Sequence, residues 1–121
     1  MRRHNFKKLQ IWLLAMELID KNYLLTATLP DYERYGLRTQ MNRCSVSIAS
    51  NISEGSSKRT DRHFLNFLEN SLGSAFEWET QLMVCARQNF ISKELFLRLE
   101  DKVQALQSKI SNFIDTLDPN N

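Results

Sequence analysis

Four stretches of the chain repeat apolar residues at helical spacing, and polar or helix-breaking residues separate them. From about residue 7 to 26, Leu9, Trp12, Leu13, Met16, Ile19 and Tyr23 form one broad amphipathic stripe. A second line on the same stretch, Ile11, Leu14, Leu18 and Leu25, is apolar too. A helix that buries one stripe in a small bundle normally keeps its other faces polar. The spacing therefore predicts a helix that packs on two sides, with the first stripe inside the subunit and the second line against another subunit; the alternative is a helix buried deeply within one short chain. Pro30 disfavours helical geometry at Leu29 and closes the segment. The short link that follows makes the next helix an antiparallel neighbour.

That next helix is predicted over about residues 36–54. Leu37, Met41, Ile48 and Ile52 give it an apolar stripe, flanked by Arg43, Ser47, Ser50, Asn51 and Glu54. Most other residues between Cys44 and Ser53 are small, which suits a close approach by another helix whose contact includes hydrogen-bonded hydroxyls. Gly36 and Gly55 bracket the segment. A third helix is predicted over about 61–89, started by Thr60 or Asp61. Leu65, Leu68, Leu72, Ala75, Leu82 and Ala86 line one face, broadened by Phe64, Phe76, Met83 and Phe90. Gly73 in its middle costs about 1 kcal/mol against alanine and so predicts a close helix contact there. Asn70, Ser74, Glu77 and Gln81 make a polar line that can answer the Ser47, Asn51 and Glu54 side of the second helix. Together Ser47, Asn51, Glu54, Ser74, Glu77 and Gln81 are the expected polar seam.

Ser92 opens a fourth helix over about 93–117. Phe96, Leu99, Val103, Leu106, Ile110, Phe113 and Leu117 alternate steps of three and four, a heptad seam. Glu100, Asp101, Lys102, Gln104, Gln107 and Lys109 are its expected solvated face. Four helices with short links predict an all-α, up-down-up-down antiparallel four-helix bundle, one domain over residues 1–121.

Composition agrees with this reading. The 121 residues suit one core, and three glycines and two prolines argue against a turn-rich β fold. Cys44 and Cys85 fall inside predicted helices without metal-ligand spacing, so they read as free, buried thiols, compatible with a reducing cytoplasm. A basic tail precedes the first helix, but no signal-type apolar core follows it. No apolar run approaches the ~20 residues of a membrane span. The expected location is the cytoplasm, without a membrane partner.

Catalytic chemistry finds little support. A di-iron bundle needs inward Glu residues and Glu-x-x-His pairs, and neither His4 nor His63 completes one. Ser47 with Glu54 has no histidine or lysine at helical spacing to activate it. The expectation is no enzyme, no cofactor and no metal. An enzyme would instead require a deep pocket around Glu54 and Glu77. Three basic clusters are more suggestive: Arg2, Arg3, His4, Lys7 and Lys8; Arg34, Arg38 and Arg43; and Lys58, Arg59, Arg62 and His63. The last sits at a turn and helix start, where backbone amides also favour phosphate. The net charge of +2 does not by itself demand nucleic acid, but clusters multiplied in an oligomer would bind it in a salt-sensitive way. Most aromatics fall on core faces, so no base-stacking platform is expected.

These residues also carry a resemblance. Tyr35-Gly36-Leu37, Gln40-Met41, Arg43, Ser45-Val46-Ser47-Ile48, Ser50-Asn51-Ile52 and Glu54-Gly55 resemble the signature of small four-helix-bundle proteins encoded in intervening sequences of bacterial 23S rRNA genes. Phe64-Leu65, Phe67-Leu68, Gly73-Ser74, Glu77 and Gln81-Leu82 continue it, and Phe6, Leu9 and Trp12 match its start. The resemblance implies a bundle that assembles into a five-fold ring. It also implies kinship with accessory proteins of diversity-generating retroelements, which bind nucleic acid and a reverse transcriptase. It implies no catalytic residue. The combined expectation is a non-enzymatic homo-oligomer, pentameric as the resemblance implies, that acts as a binding or scaffolding protein for RNA or an RNA-linked partner. The alternative is a protein–protein interaction module with no nucleic-acid role.

Overall fold

The structure, a computed structural model, describes residues 4–118 and Asn120. The expectations for Arg2 and Arg3 lie outside these residues. Four α-helices carry the fold: α1 (Gln10–Thr26), α2 (Leu37–Ser56), α3 (Asp61–Arg87) and α4 (Lys93–Leu117). Two short 3-10 turns, Phe6–Lys8 and Asp31–Glu33, precede α1 and α2, and no strand occurs among the described residues.

The helix ends follow local chemistry. Thr60 Oγ1 accepts from His63 N at 3.2 Å and Ser92 Oγ accepts from Leu95 N at 3.0 Å, so both are side-chain N-caps. The α3 helix stops two residues short of the predicted end. Asn89 enters the left-handed region at φ 61°, Asn89 N reaches Ala86 O and Phe90 N reaches Cys85 O. That is a Schellman ending with asparagine in the usual glycine place. Before α1, the extended backbone of Leu9 separates the 3-10 turn from the helix, and the Phe6 ring packs edge-on to Trp12 at 5.2 Å.

Partners on adjacent helices descend on one as they rise on the other. Cys85 faces Met41, Ser71 faces Ile48 and Phe64 faces Gly55, so α2 and α3 are antiparallel. Gln104 reaches Glu79, Gln107 reaches Ala75 as well as Glu79, and Phe113 lies against Phe64, which orders α3 against α4 the same way. The α2–α3 seam is the most extensive and the α1–α4 seam the loosest. At Gly55, a Cβ would lie 2.7 Å from Phe67 Cβ and 2.8 Å from Phe64 Cδ1, so glycine lets α3 close on α2. Gly73 is the opposite case. Nothing lies within 4 Å of a Cβ placed there, and the close contact expected at that glycine is absent.

The orientation of α1 also differs from expectation. Its buried face is Ile11, Ala15, Leu18, Asn22, Leu25 and Thr26. Ile11, Leu18 and Leu25, assigned to a subunit interface by their spacing, therefore belong to the protein's own core, with Leu14 half-buried beside them. Leu13 is 48% exposed, and Met16 and Tyr23 are exposed with it, although the first stripe was expected to face inward. The physical reason is that two core positions are polar. Asn22 Nδ2 and Thr26 Oγ1 each donate to Asn42 Oδ1 at 2.8 Å, and Trp78 Nε1 donates to Asn22 Oδ1 at 2.9 Å. This network satisfies its polar groups inside the core, so the buried face contains residues that a purely apolar count passes over.

The α3 helix is rotated in the same sense. Ser71, Trp78 and Cys85 join Leu68, Ala75 and Leu82 in the core, while Phe76 and Met83 are exposed. On α4 the heptad holds at Leu99, Val103, Leu106 and Ile110, with Phe96, Phe113 and Leu117 half-buried. Gln107 is buried rather than solvated, because its amide donates to Glu79 Oε1 at 2.8 Å.

Candidate nucleic-acid interface

The antiparallel order decides which basic clusters can meet. The starts of α1 and α3 and the ends of α2 and α4 share one end of the bundle. His4 confirms the geometry there: its ring lies 5.0 Å from Phe64 on α3 and 6.1 Å from Phe113 on α4. The 3-10 turn bearing Lys7 and Lys8 packs on α2. Lys7 and Lys8 thus share an end with Lys58, Arg59 and Arg62. All but the half-buried Lys58 are exposed. Lys58 Nζ sits 5.0 Å from the Phe67 ring centroid, a cation–π contact that holds the amine at the α2–α3 turn. The α3 N-terminus adds backbone amides and the positive end of its dipole, partly offset by Asp61 in the first turn. Asp115 and Asp118 occupy the α4 side of this end, so the cations concentrate toward the α2–α3 turn.

The third cluster does not join them. Arg34, in the link before α2, and Arg38 and Arg43, in the first half of α2, lie toward the opposite end, and their roles divide. Arg38 is half-buried and donates from Nη2 to Leu29 O at 3.2 Å, tying α2 to the link after α1. Its Nε is buried without a hydrogen-bond partner among the described residues. Arg38 is a structural residue, not a free phosphate contact. Arg34 is exposed beside Tyr32 and Tyr35, the latter 88% exposed. These exposed tyrosines were missed because aromatic residues were read as core; their position in the short α1–α2 link, next to Pro30 and Gly36, was the available signal.

Arg43 lines a polar groove of about 270 Å³ between α2 and α3, with Thr39, Gln40, Cys44, Ser47, Ser74 and Glu77. Here the polar seam forms in part. Ser47 and Ser74 hydroxyls share a 3.0 Å hydrogen bond, and Asn51 Nδ2 donates to Ser47 O and Oγ. Gln81 Nε2 donates to Glu77 Oε2 along α3, while Gln81 Oε1 is buried without a hydrogen-bond partner among the described residues. Glu54 is exposed two turns away from the Ser47–Ser74 contact and is not among the groove's lining residues. The expected six-residue seam is therefore a Ser47–Asn51–Ser74 crossing and a separate Glu77–Gln81 pair.

Cys44 is the one thiol on this groove, and it is poorly suited to attack. Burial, with Glu77 beside it, pushes its pKa up to about 12, and Sγ donates to Ser74 O at 3.1 Å. Burial likewise raises Cys85 to about 11, against Met41 Sδ at 3.6 Å. Both are free, buried thiols. No group of three or more metal-ligating side chains occurs among the described residues. No described helix is long and apolar enough to cross a membrane.

The comparisons with known proteins agree with the architecture. A crystal structure titled as a protein of unknown function from the S23 ribosomal protein family, from Bacteroides thetaiotaomicron, superposes with a TM-score of 0.80. The match covers 86% of this chain and 97% of that one at 21% identity, so it speaks for the fold. No curated protein matches. The profile of the 23S rRNA-intervening sequence proteins matches residues 7–112, which include α1, α2, α3 and most of α4. The chain belongs to the 23S rRNA-intervening sequence protein family.

Proposed function

We propose that this protein is a non-enzymatic, homo-oligomeric binding or scaffolding module of the cytoplasm that engages RNA at the α2–α3 end of its bundle. The observation that carries the reading is the convergence of Lys7 and Lys8 with Lys58, Arg59 and Arg62 at one end. Five cations near a helix N-terminus offer phosphate several charge-assisted contacts without any requirement for base sequence. The apolar side chains left exposed on α1, Leu13, Met16 and Tyr23, support association between copies. Kinship favours a pentamer, which would present the basic end several times over.

The test is a salt titration of nuclease-treated protein with a structured rRNA fragment. Log affinity should fall linearly with log salt. Joint reversal of Lys58, Arg59 and Arg62 should reduce the slope by roughly 2 to 3, the size expected for three lost phosphate contacts. Absence of binding at low salt would instead support the protein–protein module with no nucleic-acid role.

A further inference from the structure

The loosest seam of the bundle, between α1 and α4, is lined by cations. Three cavities follow one another between α1 and α4. The first, about 300 Å³, has Leu24, Leu25, Leu95 and Leu99 with Lys21, Arg98 and Lys102 in its walls. The second, about 170 Å³, shares Lys102 with it and is also lined by Leu14 and Glu17. The third, about 320 Å³, shares Lys109 with the second and ends at Phe113. The shared walls make one groove that follows α1, whose 17 residues span about 25 Å. Its lining holds four cations, Lys21, Arg98, Lys102 and Lys109, against one carboxylate, Glu17. Leu24 stands 69% exposed on the rim, and Leu14, Leu95 and Phe113 are half-buried along the length.

We infer that this groove docks an acidic amphipathic helix of a partner protein. The helix would lie along the seam with its apolar residues at i, i+3 or i+4, and i+7 on the leucines and its Asp and Glu side chains against the flanking cations. Two observations select this occupant. An apolar strip as long as several helical turns matches the anchor spacing of a helix laid in a groove. The charge excess on its walls matches an acidic rather than a basic helix. Phosphate would meet the same cations but would gain nothing from a leucine strip, and no aromatic face lines the first cavity to stack a base. The first two cavities lie along α1 and α4 away from the basic end, and only the third reaches that end, at Leu9 and Phe113; the proposal stands on the first cavity and does not depend on the RNA reading.

The probe is a fluorescein-labelled 18-residue synthetic peptide with leucines on one helical face and glutamates beside them. A scrambled peptide of the same composition, unable to gather its leucines on one face, is the control. The full chain should bind the patterned peptide saturably and at least tenfold more tightly than the scrambled one. Amide shifts should map the contact to Leu24, Leu95 and Arg98. Leu24→Asp and the Arg98→Glu/Lys102→Glu pair should each weaken binding about tenfold while helicity by circular dichroism is retained. Equal binding of the two peptides, or no binding at low salt, would overturn the proposal. Loss of the protein's own assembly in Leu24→Asp would overturn it in favour of a second copy in the groove. Displacement of the peptide by duplex RNA, with RNA affinity lost in the same α4 variants, would overturn it in favour of phosphate.

Discussion

The α2–α3 and α1–α4 seams are built from the same kind of element and reach opposite outcomes. Between α2 and α3, Gly55 removes the side chain that would keep Phe64 and Phe67 away, and Ser71 Oγ donates to Ile48 O at 2.8 Å across the contact. Small and hydroxylated residues bring the backbones together and satisfy what they bury. Between α1 and α4, leucines meet beneath a rim of long cationic side chains, whose heads favour water while their stems line the gap. One seam is finished within the chain. The other leaves apolar surface and an excess of positive charge along the groove.

The largest effect should come from reopening the tight seam. Gly55→Val forces a branched side chain into space already filled by Phe64 and Phe67, and should cost about 3 kcal/mol in chemical denaturation. Next is the network that anchors α1 to both α2 and α3. Asn22→Leu leaves Trp78 Nε1 and Asn42 Oδ1 short of partners in the core, a loss of about 2 kcal/mol by the same measurement. A smaller effect of opposite sign belongs to Gly73. Its Cβ space is open and its backbone helical, so Gly73→Ala should stabilise the protein by about 1 kcal/mol. A destabilised Gly73→Ala variant would show that something closes on that face. The smallest effect belongs to the open seam: Lys102→Glu should change stability by less than about 0.5 kcal/mol, since the residue is exposed.

Much of the architecture was legible in the chain. The four apolar periodicities, Pro30, Thr60 and Ser92 placed the helices within a few residues of where they lie. The rotation of α1 was not legible, because Asn22 and Thr26 occupy core positions and their partner, Asn42, lies on another helix. Spacing within one segment cannot reveal a hydrogen bond made across segments. The same limit explains Gln107, read as solvated but held by Glu79, and Arg38, read as a free cation but tied to Leu29 O. Gly73 shows the converse: a helical glycine signals close approach only when a neighbour is there to approach. For the candidate interface, the cationic clusters were visible as sequence, but their division between two ends needed the topology. The α1–α4 groove had no local signature, since its cations are spaced as any solvated helix face would be.

The most direct test of the account compares rRNA-fragment affinity, at one low salt concentration, for two charge-reversed proteins: Lys58→Glu/Arg59→Glu/Arg62→Glu at the basic end, and Lys21→Glu/Arg98→Glu/Lys102→Glu in the groove. The loss should be at least tenfold larger for the first than for the second. An equal loss in both, or a larger loss in the groove protein, would contradict the assignment of RNA to the end of the bundle.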